Sequence, residues 1–149
     1  YMSVAFNPTY TTRFNQVIQH EFCGHAFGDL RDEYRMKNLT KTFPKSSIPN
    51  ANVDLESDPT KVKWAQFITD PRYASEKLGV YQGILSFKDV YRATETSIMR
   101  SIRPGKGFNA PSRAAIYTKA MKLAFPGWEF DYEEFVKFDM GDKYYPLEK

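Results

Sequence analysis

The sequence predicts an α+β domain, predominantly helical with one small hairpin, on three observations. Apolar residues recur at helical spacing from Thr12 onward, at Phe14, Val17, Ile18 and Phe22. Cap-and-proline signatures of further helices stand at Ser57–Pro59 and Asn109–Pro111, and a capping-box-like pair at Asp131 and Glu134. Between them GVYQGILSFKDVYRA, residues 79–93, is rich in Tyr, Val, Ile and Phe with glycines interposed, which reads as paired strands.

Taken in order, SVAFN at 3–7 is a short apolar stretch ended by Pro8 and predicts a strand. The first helix is expected over 12–28, with Thr11 or Thr12 as N-cap and Gly28 where it stops. Residues 35–57 are polar and carry Pro44 and Pro49, the pattern of a long surface loop. A helix over 58–69 follows, capped by Ser57 or Asp58, with Pro59 in its first turn and Val62, Trp64, Phe67 and Ile68 as its apolar set, ending before Pro71. After the 79–93 hairpin comes a turn at 96–100 and the glycine-bearing loop RPGKGFN. A helix is expected over 110–125, closed by Pro126–Gly127, and a short one over 131–140. With no internal repeat and no linker, the whole of 1–149 reads as one domain.

Composition narrows the function. The chain has 12 Phe and 10 Tyr against 2 Trp, enough for a solid core or for an aromatic surface facing carbohydrate or peptide. Its net charge of +3 is dispersed with no basic stripe, which argues against a nucleic-acid partner. No apolar run has the length of a membrane span. Cys23 is the single cysteine, so there is no internal disulfide; between Phe22 and Gly24 it is expected to pack rather than to ligate. Residues 1–149 carry no signal-peptide pattern, which with a start at Tyr1 rather than Met is uninformative.

Both histidines of the chain lie in HEFCGHAFGDLRDEY, residues 20–34. His20 and His25 flank Glu21, which directly follows the first histidine as a peptidase general base does. On a regular α-helix, residues four apart diverge by about 40°, but residues five apart diverge by about 140°. Two imidazoles so placed cannot share a tetrahedral ion. One π-type turn absorbs the additional residue and returns both rings to one face, and Gly24 lowers the steric resistance to forming it. A zinc site needs a third protein ligand and one open position. Asp29, Asp32 and Glu33 are the candidates. Asp29 lies too close to the turn at Gly28, Asp32 is preferred, and Glu33 is the alternative; Asp32 serving instead as a hydrogen-bond acceptor for a ligand histidine is a further reading.

The segment resembles the active site of the IgA-peptidase-type zinc metallopeptidases of gut bacteria, a metzincin-like family. ANVDLESDPTKVKWAQFI, YRATETSIMRSI, FNAPSRAAIYTKAM and FDYEEFVKFD follow in that family's order, so the likeness covers about 16–139. It implies a metzincin-like zincin catalytic domain lacking most of its N-terminal sheet, since only nineteen residues precede His20. A preceding portion of the same protein, or a second copy, is then expected to complete the fold. SIM at Ser97–Met99 resembles the methionine turn of that fold, with Met99 packed beneath the ligands. Two departures stand out: the additional residue between the histidines, and Arg31 at the offset where the usual third ligand falls. The H-E-x-x-G-H form is also similar to dipeptidyl-peptidase III, an exopeptidase, although its downstream glutamate motif has no counterpart here.

The resemblance implies a zinc-dependent endopeptidase acting on protein or peptide substrates. Zinc on His20, His25 and Asp32 brings its water toward a pKa of about 7, and Glu21 takes the proton and passes it to the leaving amine. Arg100, Arg92, Tyr34 and Tyr91 are candidates to stabilise the oxyanion. The same family places the protein outside the cytoplasm, secreted or on a bacterial surface. The competing expectation is a binding protein that recognises host glycoprotein or glycan through its aromatics and keeps a vestigial site, or a fragment inactive by itself.

Overall fold

The computed structural model describes residues 13–44, 50–103 and 106–141; the strand expected at 3–7 and the Thr11 or Thr12 cap lie outside them. Helix α1 (Phe14–Ile18) runs without a break into a π-helix, Gln19–Phe27. The chain then leaves in extended form and reaches β1 (Val53–Asp54). Helix α2 (Ala65–Thr69) and a 3-10 helix (Pro71–Glu76) precede the hairpin of β2 (Tyr81–Ile84) and β3 (Phe87–Arg92). Helices α3 (Ala110–Ala124) and α4 (Tyr132–Asp139) close the described chain. The architecture is α+β, with a three-stranded antiparallel sheet in the order β1-β3-β2. Among the described residues, no helix is long and apolar enough to cross a membrane.

Where local chemistry alone sets an element, the bounds fall close to the expected ones. Asn109 accepts from the Ser112 amide and Pro111 sits in the first turn of α3; Asp131 accepts from the Glu134 amide at the start of α4. Two readings need correction. Residues 35–57 are not simply a loop: they contain β1, whose Val53 and Asp54 pair with Arg92 and Tyr91, and Phe43 and Val53 are buried. Upstream, Arg35 and Lys41 bridge in parallel to Leu85 and Phe87 at the hairpin tip. A two-residue strand is too short to show alternation.

The helix expected over 58–69 is regular only from Ala65. Asp58 does cap a first turn, accepting from the Thr60 amide and hydroxyl, and Lys61 and Val62 bond back to its carbonyl. The Lys63 amide, however, donates to the Asp54 carboxylate at 2.8 Å and is lost to the helical ladder. The 3-10 helix after it was not anticipated, although Asp70–Pro71 is a cap followed by a first-turn proline, with Asp70 accepting from the Arg72 amide. The first helix does stop at Gly28, its C-cap residue, although not through a left-handed glycine. The φ of Gly28 is −76°, and the left-handed residue is Asp29, at φ 51°. Gly28 is needed for space, because a Cβ there would stand 2.8 Å from the Cys23 carbonyl and 2.9 Å from Ile116 Cγ1.

The aromatics largely fill the interior. Trp64, Phe67, Tyr73, Tyr117, Phe135 and Val136 form the largest buried cluster, in which the Phe67 ring sits edge-on 5.1 Å from Tyr73 and 5.9 Å from Phe135. Its rim is pinned by Arg113, which reaches Asp139 at 2.7 Å and Glu76 at 2.6 Å. A second cluster, Phe43, Val53, Ile84 and Val90, backs the sheet, and a third, Leu30, Ile98 and Met99, lies against the π-helix. Phe135 is fully buried, and Phe135→Ala is expected to cost about 3–5 kcal/mol in urea unfolding. A loss under about 1 kcal/mol would show that the domain does not depend on this cluster.

Candidate metal centre

The π-helix decides where the histidines point. A hydrogen bond spanning five residues, seen where the Gly28 amide meets the Cys23 carbonyl at 2.9 Å, widens the turn so that His20 and His25 lie one above the other. Their rings are 4.8 Å apart between centroids and nearly perpendicular, at 86°. The expected single bulge is thus a nine-residue π segment. After Phe27 the chain reverses through left-handed Asp29, whose carbonyl accepts from Asn50 Nδ2, and the Leu30 amide returns to the Gly24 carbonyl. This reversal brings Asp32 back over the helix.

Asp32 Oδ1 lies 3.1 Å from His20 Nε2 and 3.2 Å from His25 Nε2. The other nitrogen of each ring is committed: His20 Nδ1 is 2.8 Å from the Ile98 carbonyl and His25 Nδ1 is 2.7 Å from the Leu30 carbonyl. A carbonyl only accepts, so both Nδ1 atoms carry protons, and in each neutral ring Nε2 presents its lone pair. Three acceptors therefore face one another, and either ring protons or one cation must make that arrangement attractive. In the protonated form the pull is strong. For His20, burial works to lower the pKa, but the hydrogen bonds to Asp32 and the Ile98 carbonyl outweigh it and raise it. For His25 the Asp32 hydrogen bond is the largest influence and burial opposes it, again with a net rise. Burial pushes Asp32 upward, yet its bonds to the two rings hold it well below the usual carboxylate range.

The same atoms fit a metal. His20, His25 and Asp32 each offer one donor atom, all within 4.8 Å of one another. Tetrahedral ligands of zinc, at about 2.0–2.1 Å, stand about 3.3–3.4 Å apart, close to the two spacings from Asp32. Both rings carry a carbonyl partner on the far nitrogen, the support that fixes tautomer and orientation in metal-bound histidines. Two nitrogens and one carboxylate oxygen suit zinc or a neighbouring transition metal better than calcium or magnesium.

The remaining predicted residues fall in two groups. Glu21 lines the same cleft as the three donors, about 430 Å3 in volume and also walled by Val17, Tyr34, Arg100 and Ile102. Glu33 is elsewhere: it is fully buried, and its carboxylate accepts from Ser97 Oγ at 2.5 Å and Asn52 Nδ2 at 2.9 Å. Burial raises its pKa against those two bonds. As an alternative ligand it is displaced, because alternation along an extended chain sends Asp32 and Glu33 to opposite sides. Arg92 is buried against the carbonyls of Tyr81, Gln82 and Gly83, and neither it nor Tyr91 lines the cleft. Arg31 donates to Asn50 and Asn52, Asp29 forms the turn, and Cys23 is half-buried outside the donor group.

Met99 is fully buried, and a Cβ on Gly24 would come within 2.4 Å of its Sδ. The tight turn it occupies, closed by Arg100 and Ser101 amides on the Ser97 carbonyl, is pressed against the π-helix. Sequence reasoning missed the Ile98 and Leu30 carbonyls and the Asn52–Glu33–Ser97 chain. Backbone acceptors leave no residue-type signal, while the serine and asparagine are unremarkable until folded.

Neither a scan against models of known protein families nor a search of curated proteins finds a match to this chain.

Gly24→Ala is expected to destabilise the fold by about 1–3 kcal/mol through overpacking. Met99→Ala in that background removes the collision, so the double mutant should lose less than the sum of the single losses by thermal or urea unfolding. Strict additivity would show that the two residues do not meet.

Proposed function

We propose that this protein is a zinc-dependent peptidase of the metzincin-like, IgA-peptidase type, hydrolysing protein or peptide substrates. The observation that carries the reading is the convergence of His20 Nε2, His25 Nε2 and Asp32 Oδ1 with both ring tautomers fixed from behind. The order of the sequence segments, the π-turn that accommodates the longer histidine spacing, and the buried Met99 under Gly24 support it further. His20, His25 and Asp32 would hold the ion. Zinc so held is a Lewis acid that activates water and polarises a carbonyl.

The residues of the chain supply the rest. Glu21 follows His20 and faces the same cleft, where its carboxylate can take a proton from water and return it to the leaving amine. Arg100 borders that cleft with its guanidinium steadied by the backbone carbonyl and carboxylate of Glu95, and Tyr34 stands beside it; either places a donor near a developing oxyanion. Val17 and Ile102 offer an apolar wall to a substrate side chain.

Metal analysis of the purified protein is expected to find about one zinc per chain, lost on His20→Ala, His25→Ala or Asp32→Ala. Glu21→Gln should keep the zinc and reduce cleavage of a broad peptide library by about 10²–10⁴-fold. Zinc bound normally with cleavage unaffected by Glu21→Gln would refute the assigned base, and absence of zinc from the native protein would refute the centre itself.

A further inference from the structure

Glu33 has no place in that chemistry, yet it is a fully buried carboxylate one residue from Asp32. Burying a carboxylate is costly unless its oxygens are satisfied, and both are. Its hydrogen bonds are unusually specific. Oε2 accepts from Ser97 Oγ at 2.5 Å and the Glu33 amide donates to the Met99 carbonyl at 2.9 Å, so Glu33 grips the two residues either side of Ile98. The Ile98 carbonyl is the acceptor that orients His20. Oε1 accepts from Asn52 Nδ2, and Asn52 in turn pairs with both the amide and the carbonyl of Arg31, at 2.9 and 2.8 Å. Asp32 is therefore bracketed as well, with Arg31 fastened to Asn52 and Glu33 fastened to the turn.

We infer that Glu33, through Ser97 and Asn52, is the positioning residue that sets Asp32 and His20 at their mutual distance, and so controls how tightly and in what geometry the cluster holds a divalent metal. The inference rests on the metal-centre part of the proposed function and not on peptidase activity. An apolar residue of similar volume would fill the space but would leave Ser97 Oγ and one of the two Asn52 Nδ2 protons without an acceptor, and the turn carrying Ile98 could then drift from the extended segment carrying Asp32.

The test measures zinc affinity by chelator competition and the visible absorption of the cobalt(II)-substituted protein, for native protein, Glu33→Gln and Ser97→Ala, alongside unfolding of each metal-free form. Expected are about 10- to 100-fold weaker zinc binding in both variants and a changed cobalt spectrum, with the double variant little worse than either alone. Ser97→Ala removes only a hydroxyl, so it carries the same expectation if Glu33→Gln fails to fold. Native affinity with an unchanged cobalt spectrum overturns the inference. So does weaker binding that merely tracks lost stability of the metal-free form while the spectrum stays the same. If native protein binds no zinc, the inference and the metal centre fall together. If zinc behaves as expected but native protein cleaves no peptide, the peptidase reading fails and the positioning role stands.

Discussion

Backbone hydrogen bonds that reach five residues instead of four, between Gln19 and Phe27, are the constraint from which the candidate centre follows. In an α-helix, His20 and His25 would point to different sides and the return of the chain would bring Asp32 to only one of them. The wider turn places both rings under one carboxylate oxygen. A π-helix is intrinsically less favourable than an α-helix, so something outside it must hold it open. The neighbours that do so are visible: the Ile98 and Leu30 carbonyls fix one nitrogen of each ring, and the turn carrying Met99 lies where only a glycine leaves room.

The sequence was most legible where a few adjacent residues settle the matter. Asn109 with Pro111 and Asp131 with Glu134 announce helices α3 and α4 because a cap is a local hydrogen bond. The hairpin at 81–92 is legible from its strand-forming residues and glycines, although the bulge at Gly83 and the left-handed Leu85 are not. Tertiary competition hid the rest. Asp54 captures the Lys63 amide from nine residues away and cuts short a helix that local signals would extend. Phe43 and Val53 are lone apolar residues in a polar stretch, and their burial depends on a sheet formed by residues more than thirty positions later.

The candidate centre was legible in a different sense. A spacing of five between histidines has no shared face on the usual helix, and that contradiction is itself the signal for a π-turn. Choosing between Asp32 and Glu33 was beyond the one-dimensional pattern, since both lie just past the turn. The structure separates them by direction: one carboxylate goes to the rings and the other to Ser97 and Asn52. Neighbouring acidic residues thus have opposite surroundings, one at a cleft and one sealed from water.

Among the described residues the three apolar clusters are unequal, and the one with the fewest buried members, Leu30, Ile98 and Met99 with Phe108, Ala115 and Ile116 around it, is the one under the π-helix. So little buried hydrocarbon gives the floor of the cleft a shallow hold compared with the aromatic interior between α3 and α4. Any cation that joins residues 20, 25 and 32 ties the π-helix to the returning extended chain and acts, by mass action, as a latch on that floor. Occupancy and local rigidity then rise together, and a chelator would soften this corner of the domain before the rest.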